Sequence, residues 1–335
     1  MKILHCSDIH LGAPLAGLGE NAALRRRELL ESFCGLVTYA KNNADAMIVA
    51  GDLFDSGTVD NAIFAAVADA FYDAEIPIFL LFGNHDKRLA KIAAKNMPEN
   101  VKIFDKQSSY ELDSRVVIHG IDNAFESQKV VFDNNKYNIL VLHGDQKEID
   151  FSVFASEPID YVAMGHYHKF SLAKFSRGLI CYCGSNEPRD FGDIGETGFI
   201  MLDTNKNGKD AVVRHDTAKR HMITKNLDVT GLTSLDALLK EYAKVTAEIG
   251  KENYLNLIVC GRRNPNVDIA YLSDKKDFFA TRITDETALD YDREKLRKEN
   301  SLIGEFIKAV EASGNDENII NRAIELGLIA LEGKR

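Results

Sequence analysis

The chain is 335 residues long, 45% hydrophobic and 27% charged, a balance that excludes a disordered chain and leaves room for two domains or for one large domain with an appendage. Its formal net charge of −10 counts against a nucleic-acid partner held by a basic surface alone. Bound divalent ions would nevertheless put positive charge where a phosphate must sit.

In chain order, MKILHCSDIH at the N-terminus is too short in its apolar stretch, and too polar after it, for a signal peptide. No apolar run approaches the length of a membrane span, so the expectation is a cytoplasmic protein with no membrane partner. Strands are expected at KILHC (from Lys2), AMIVA (Ala46), IPIFLLF (Ile76), VVIHGI (Val116), NILVLH (Asn138), YVAMGH (Tyr161), LICYCG (Leu179) and GFIMLD (Gly198). Amphipathic helices are expected between the early strands, at Arg25 to Lys41 and Asn61 to Asp73. After about Val101 the spacing is strand-only, which points to an α/β layered sandwich of sheets with flanking helices. Character changes near His215. MITKNLDV, a helix from Ser234 to about Ile249, and strands at YLNLIVC and VDIAYL form a small module ending near Ile283. Helices from Arg293 to Ser313 and from Glu317 to Glu332 follow.

The five cysteines, Cys6, Cys34, Cys181, Cys183 and Cys260, are odd in number and carry no secretory context, so no disulfide framework is expected. Cys181 and Cys183 fall on one face of a strand. A buried structural role is expected for them, since no second pair completes a thiolate site.

The chemistry lies where the apolar runs end. Asp8-Ile9-His10 follows the first strand, Gly51-Asp52 the second and Gly83-Asn84-His85-Asp86 the third. His143 closes NILVLH, and Gly165-His166-Tyr167-His168 follows YVAMG. In layered α/β folds, strand ends and their loops form the ligand crevice. Each motif alone has a bland reading, as a turn or a surface loop. Their order, always after a strand, instead points to ligands aimed at one place. Asp8, His10, Asp52, Asn84, His143, His166 and His168 are too many for one tetrahedral ion and suit two ions sharing a carboxylate. Oxygen and imidazole donors without thiolate favour Mn²⁺, Fe, Zn²⁺ or Mg²⁺, and Mn²⁺ is the expected cofactor. His5 and His119 alternate with apolar neighbours and are read as satisfied core residues. His215 and His221 lack motif context.

DIH, GDLFD, GNHD, the lone His143 and GHYH match in order the motifs of calcineurin-like metallophosphoesterases, and the chain resembles that superfamily from Ile3 to about Asp203. The resemblance implies that Asp8, His10 and His168 hold one ion, that Asn84, His143 and His166 hold the other, and that Asp52 bridges them. It also implies a catalytic role for His85, which would protonate the leaving oxygen. Asp55 is expected to orient His85; the plainer role for Asp55 is to cap a helix starting near Val59. Asp86 is expected to shape its loop. Ser56-Gly57 stands where eukaryotic protein phosphatases have Arg-Gly. MKILHCSDIHLGAPL, RRRELLESFCGLVTYAKNNADAMIVAGDLFDSG and GSNEPRDFGDIGETGFIMLD resemble the SbcD-type DNA repair exonucleases. Asp55 itself is nearer the bacterial branch, since archaeal and eukaryotic relatives carry His there.

These resemblances imply a metallophosphoesterase β-sandwich over residues 1–215, a small α+β capping domain over 216–283 and a C-terminal helical segment over 284–335. The implied function is a divalent-metal-dependent DNA exo/endonuclease using a two-metal-activated hydroxide. A small-molecule phosphodiesterase or phosphomonoesterase, and an ATPase-binding subunit of a repair complex, are the alternatives. The implied partners are DNA and an SMC-like coiled-coil ATPase, with a homodimer left open; the chain has no P-loop of its own. Lys87, Arg88 and Arg189 are the candidates to contact substrate phosphate, with Arg25, Arg26, Arg27, Lys91 and Lys95 as further basic positions. Aromatic residues for base stacking are sparse, with no Trp.

Overall fold

The computed structural model describes residues 1–104, 109–121, 130–193 and 197–331. The chain divides into two compact units, Met1–Met222 and Ile223–Arg335. Among the described residues no helix is long and apolar enough to cross a membrane.

The first unit holds two six-stranded sheets. One is built from β1 (Lys2–Cys6), β2 (Ala46–Ala50), β3 (Ile78–Leu81), β4 (Val101–Ile103), β11 (Phe199–Asp203) and β12 (Val212–His215), in the order β12-β11-β1-β2-β3-β4. The other comprises β5 (Ser109–Glu111), β6 (Val116–Gly120), β7 (Tyr137–His143), β8 (Tyr161–Gly165), β9 (Ser171–Phe175) and β10 (Gly178–Tyr182), ordered β5-β6-β7-β8-β10-β9. Pairing is parallel from β1 to β4 and again through β6, β7, β8 and β10. Antiparallel strands sit at the margins. This is the expected layered α/β sandwich.

The strands alternate in burial as a two-faced sheet must. Ile3, Ala46, Ile48 and Ala50 of the first sheet share one core with Ile118, Ile139, Val141, Tyr161 and Ala163 of the second. The opposite face of the second sheet sends Leu140, Leu142, Val162 and Met164 into a separate cluster with Phe154 and Ile159. Helices α1 (Ala22–Asn43) and α2 (Asn61–Ala74) pack together through Phe33 and Phe71, whose rings meet edge to face at 5.8 Å. A short α3 (Ala90–Asn96) precedes β4.

His5 and His119 are core residues with partners. His5 Nδ1 is 2.9 Å from the Tyr161 hydroxyl. His119 lies between Ser109 Oγ at 2.8 Å and Asn138 Oδ1 at 3.1 Å. Cys181 and Cys183 are fully buried, and burial pushes the Cys181 thiol up to about 12.

The second unit has a three-stranded sheet of β13 (Met222–Asp228), β14 (Tyr254–Arg263) and β15 (Ala280–Leu289), with helix α4 (Leu235–Thr246) capped by Ser234. Two expectations fail here. VDIAYL is not a strand: the Asp268 carboxylate accepts from the Ala270 amide and starts a 3-10 turn over Ile269–Leu272. The strand after β14 is instead β15, parallel to it over Tyr254–Arg263 and Ala280–Leu289. Its ATRITDETAL is mostly exposed, so it carries no apolar run. The expected helix from Arg293 to Ser313 is two helices, α5 (Arg293–Lys298) and α6 (Leu302–Glu311). Ser301 breaks them apart by capping α6 through the Gly304 amide. The last helix, α7, covers Glu317–Leu331, and its expected final residue Glu332 lies outside the described residues.

Candidate metal centre

Parallel pairing sends β1, β2 and β3 out of their sheet at one edge, and β7 and β8 leave theirs in the same way. The loops after β1 and β2 then run side by side. Asp8 donates its amide to Gly51 O at 3.1 Å, His10 to Asp52 O at 2.9 Å and Leu11 to Leu53 O at 2.9 Å. Side chains that follow five strands converge as a result. Ligand atoms of Asp8, His10 and His168 lie within 4.8 Å of one another, as do those of Asp8, Asp52 and His143, and those of His10, Asp52 and His85. Asn84 Oδ1 is 3.0 Å from His143 Nε2. His166 stands beside His143, with ring centroids 5.5 Å apart.

The backbone bears the cost of this convergence. Asp8, His10 and Asp52 have φ of 55°, 50° and 50°, and His166 has 107°, values that side-chain-bearing residues rarely adopt. Such outliers persist where surrounding contacts over-determine them, typically at functional sites. Two motif glycines answer to the same crowding. A Cβ on Gly83 would stand 2.1 Å from Asp52 Oδ1, and one on Gly165 would stand 1.9 Å from Ala50 O.

His143, His10 and His168 are turned by what their Nδ1 atoms meet. His143 Nδ1 donates to Ala50 O at 2.9 Å, which leaves Nε2 facing Asp52 Oδ2 at 3.2 Å. His10 Nδ1 is 3.2 Å from Asp55 Oδ1, and His168 Nδ1 is 2.5 Å from Asp193 Oδ1. His10 is 1% exposed, and its Nε2 is buried with no hydrogen-bond partner. An orphaned, inward-facing imidazole nitrogen is what a metal ion would satisfy, since burial holds its pKa low and the ring neutral. Burial alone would push the Asp52 carboxyl up, but His143, the His85 amide and His10 together outweigh that and bring it down to about 2. The donor set of carboxylates, imidazoles and one amide oxygen fits hard or borderline divalent ions.

Asp55 does not orient His85 through its carboxylate, contrary to the sequence reading. The carboxylate turns His10, and only the Asp55 carbonyl reaches His85, accepting from Nδ1 at 2.9 Å. Nor does Asp55 cap a helix: α2 begins at Asn61 and is capped by Asp60. His85 is exposed, with its ring 4.7 Å from that of His10. Asp86 is fully buried and accepts from the amides of Phe54 at 2.9 Å and Gly83 at 2.8 Å, so it does shape the loop.

The basic candidates separate. Lys87 and Arg88 are exposed in the 3-10 turn Lys87–Leu89 that follows GNHD. Arg189 is at the site but is engaged by carboxylates, with Nε 3.1 Å from Asp193 Oδ2 and Nη1 3.6 Å from Asp55 Oδ1. Arg25 is fully buried, where it binds Glu28, Glu187 and the Pro188 carbonyl, so it is no surface contact for DNA. Arg26 holds Pro14 O at 2.7 Å. Sequence reasoning missed Asp193, which no strand end announces. It also missed Ser7, whose hydroxyl donates to Asp8 Oδ2. A cavity of 570 Å³ opens beside His166 and His168, with Tyr167, Lys169 and Phe170 on its wall.

The calcineurin-like phosphoesterase family matches residues 1–191, more than half of the chain. The chain belongs to that family. It is a phosphoesterase of a group that depends on a dinuclear metal centre. The SbcD polypeptide of the nuclease SbcCD from Staphylococcus epidermidis is 24% identical over 264 residues, covering 62% of this chain and 67% of that protein. The DNA double-strand break repair protein Mre11 of Methanococcus maripaludis is 27% identical over 241 residues, covering 62% of this chain and 61% of that protein. An uncharacterized metallophosphoesterase of Bacillus subtilis, YhaO, is 22% identical, covering 60% of this chain and 57% of that protein. This phosphoesterase thus spans about 57 to 67% of the length of these relatives.

Proposed function

We propose that this phosphoesterase is a divalent-metal-dependent nuclease that cleaves DNA phosphodiesters. The observation that carries the metal-dependent reading is the convergence of the strand-end donors, with Nε2 of buried His10 lying 3.7 Å from Asp52 Oδ2 and without a hydrogen bond. Asp8, His10 and His168 would hold one ion, Asn84, His143 and His166 the other, and Asp52 both. Mn²⁺ is the ion proposed, and Fe, Zn²⁺ and Mg²⁺ also suit oxygen and imidazole donors. When bound, such a pair clamps the phosphate and supplies an activated water as nucleophile.

The protein's own part is orientation and proton transfer. Ala50 O, Asp55 and Asp193 present the Nε2 atoms of His143, His10 and His168 to the crevice. His85, whose Nδ1–H is fixed on Asp55 O, keeps Nε2 for protonating the departing sugar oxygen. Lys87 and Arg88 would meet flanking phosphates and contribute affinity without sequence preference.

DNA as substrate is supported by the relatives, whose names describe a part of a nuclease and a double-strand break repair protein. By the resemblance to SbcD-type nucleases, residues 216–283 would form the cap that shapes DNA access, and residues 284–335 would bind an SMC-like ATPase. The test is hydrolysis with Mn²⁺ of linear duplex DNA, a bis-aryl phosphate and an aryl monophosphate, side by side. DNA and the diester should be turned over and the monoester spared. Rapid turnover of small phosphoesters with no cleavage of any DNA would reject the nuclease reading.

A further inference from the structure

The two halves of the centre are supported by different means. On one side a main-chain carbonyl does the work, since Ala50 O turns His143, and the His166 amide donates to the Asp8 carboxylate, which Arg189 does not touch. On the other side two carboxylates do it, Asp55 for His10 and Asp193 for His168. These carboxylates come from segments far apart in sequence, and one guanidinium joins them. Arg189 reaches Asp55 Oδ1 with Nη1 at 3.6 Å. It meets Asp193 Oδ2 twice, through Nε at 3.1 Å and through its own amide at 2.9 Å. Its Nη2 also lies 3.1 Å from His168 Nδ1.

The loop that carries Arg189 and Asp193 is itself anchored. Arg25 binds Glu187 Oε2 and Pro188 O at 2.7 Å each, and the Lys219 amide donates to Glu187 Oε1 at 2.9 Å. Arg189 and Asp193 are 16% and 6% exposed in their side chains, so solvent screens that pair little, and Asp55 is 23% exposed. A carboxylate turns an imidazole well only if it is itself held. A planar guanidinium can hold two at once in fixed directions, which an ammonium cannot.

We propose that Arg189 is a positioning residue that locks Asp55 to Asp193, and so builds the His10–His168 half of the metal centre separately from the Asn84–His143–His166 half. The proposal rests on the two-ion reading above. It assigns Arg189 to metal assembly rather than to substrate phosphate. Losing the bridge should weaken one ion and spare the other, because His143 and His166 do not depend on it. Partners of metal-bound histidines typically change affinity 10- to 100-fold when removed.

The experiment uses metal-free full-length protein and Mn²⁺ alone as the probe, followed by calorimetric titration and by electron paramagnetic resonance. Wild type should take up two ions and show an exchange-coupled spectrum. Arg189→Met should keep one ion at wild-type affinity and bind the other roughly 10 to 100 times more weakly. Its spectrum should stay that of isolated ions at concentrations that couple the wild type. Arg189→Lys should fall between the two. If Arg189→Met fails to fold, the near-isosteric Asp193→Asn should show the same one-sided loss. Two ions bound at wild-type affinity by the variant, or both weakened alike, would overturn the proposal and leave the two-ion reading standing. A wild type that binds no second ion would overturn both.

Discussion

The backbone amide of His166 donates to both carboxylate oxygens of Asp8, at 3.0 Å each. Asp8 follows a strand of one sheet and His166 a strand of the other, so this contact ties the two sheets together at the site. Asp8→Ala leaves the part-buried amide without its acceptor and should cost about 1 kcal/mol of stability in denaturant unfolding. Asp8→Asn keeps an acceptor oxygen and should cost less. Both should lose metal-dependent turnover, which separates the structural task of this carboxylate from its proposed metal-binding one.

His85 is near the other histidines and, like His143, is held by a backbone carbonyl, unlike His10 and His168. Under the proposed roles, His85→Ala should keep its bound metal and lose about 10²- to 10⁴-fold in turnover. Metal content by mass spectrometry, measured beside steady-state kinetics, checks this. Loss of metal would make His85 a ligand.

His5 predicts a pH effect remote from catalysis. Burial lowers its pKa from 6.5 to about 3 in the folded protein. A depressed histidine stabilises fully above its unfolded pKa and loses that contribution as pH falls from 6.5 towards about 3, because the unfolded chain takes up the proton first. In metal-free protein, unfolding free energy should therefore fall with a slope of up to ~1.4 kcal/mol per pH unit from this group. His5→Met should have a visibly shallower slope between pH 6.5 and pH 5 when the two are compared by guanidinium titration.

Basic residues that look alike in sequence should behave differently. Arg25→Met leaves buried Glu187 without its guanidinium, while Glu28 keeps Arg220, and should cost about 3–5 kcal/mol while leaving the salt dependence of the proposed DNA binding unchanged. Lys87→Ala and Arg88→Ala should leave stability nearly untouched. Each should instead reduce the slope of log affinity against log salt by about 1.

The strand-end motifs were legible because each apolar run stops at a polar residue, and parallel pairing brings those stops to one edge. The steric demand on Gly83 and Gly165, which lie against Asp52 and Ala50, comes only from the fold. The partners of the histidines were harder to read. Spacing shows that Asp55 is near Asp52, but not that its carboxylate faces His10 while its carbonyl faces His85. Asp193 is joined to His168 only through the fold. Charge alone could not distinguish buried Arg25 from exposed Arg88. In the second unit, β15 escaped because exposed strands lack an apolar signature, and VDIAYL misled because Asp268 captures a nearby amide.

Anomalous diffraction from crystals grown with Mn²⁺ would locate the pair of ions proposed among the strand-end residues. Two peaks about 3.5–4 Å apart are predicted, with Asp52 between them, Asp8, His10 and His168 around one, and Asn84, His143 and His166 around the other. A single peak, or manganese bound away from these side chains, would contradict the two-ion reading.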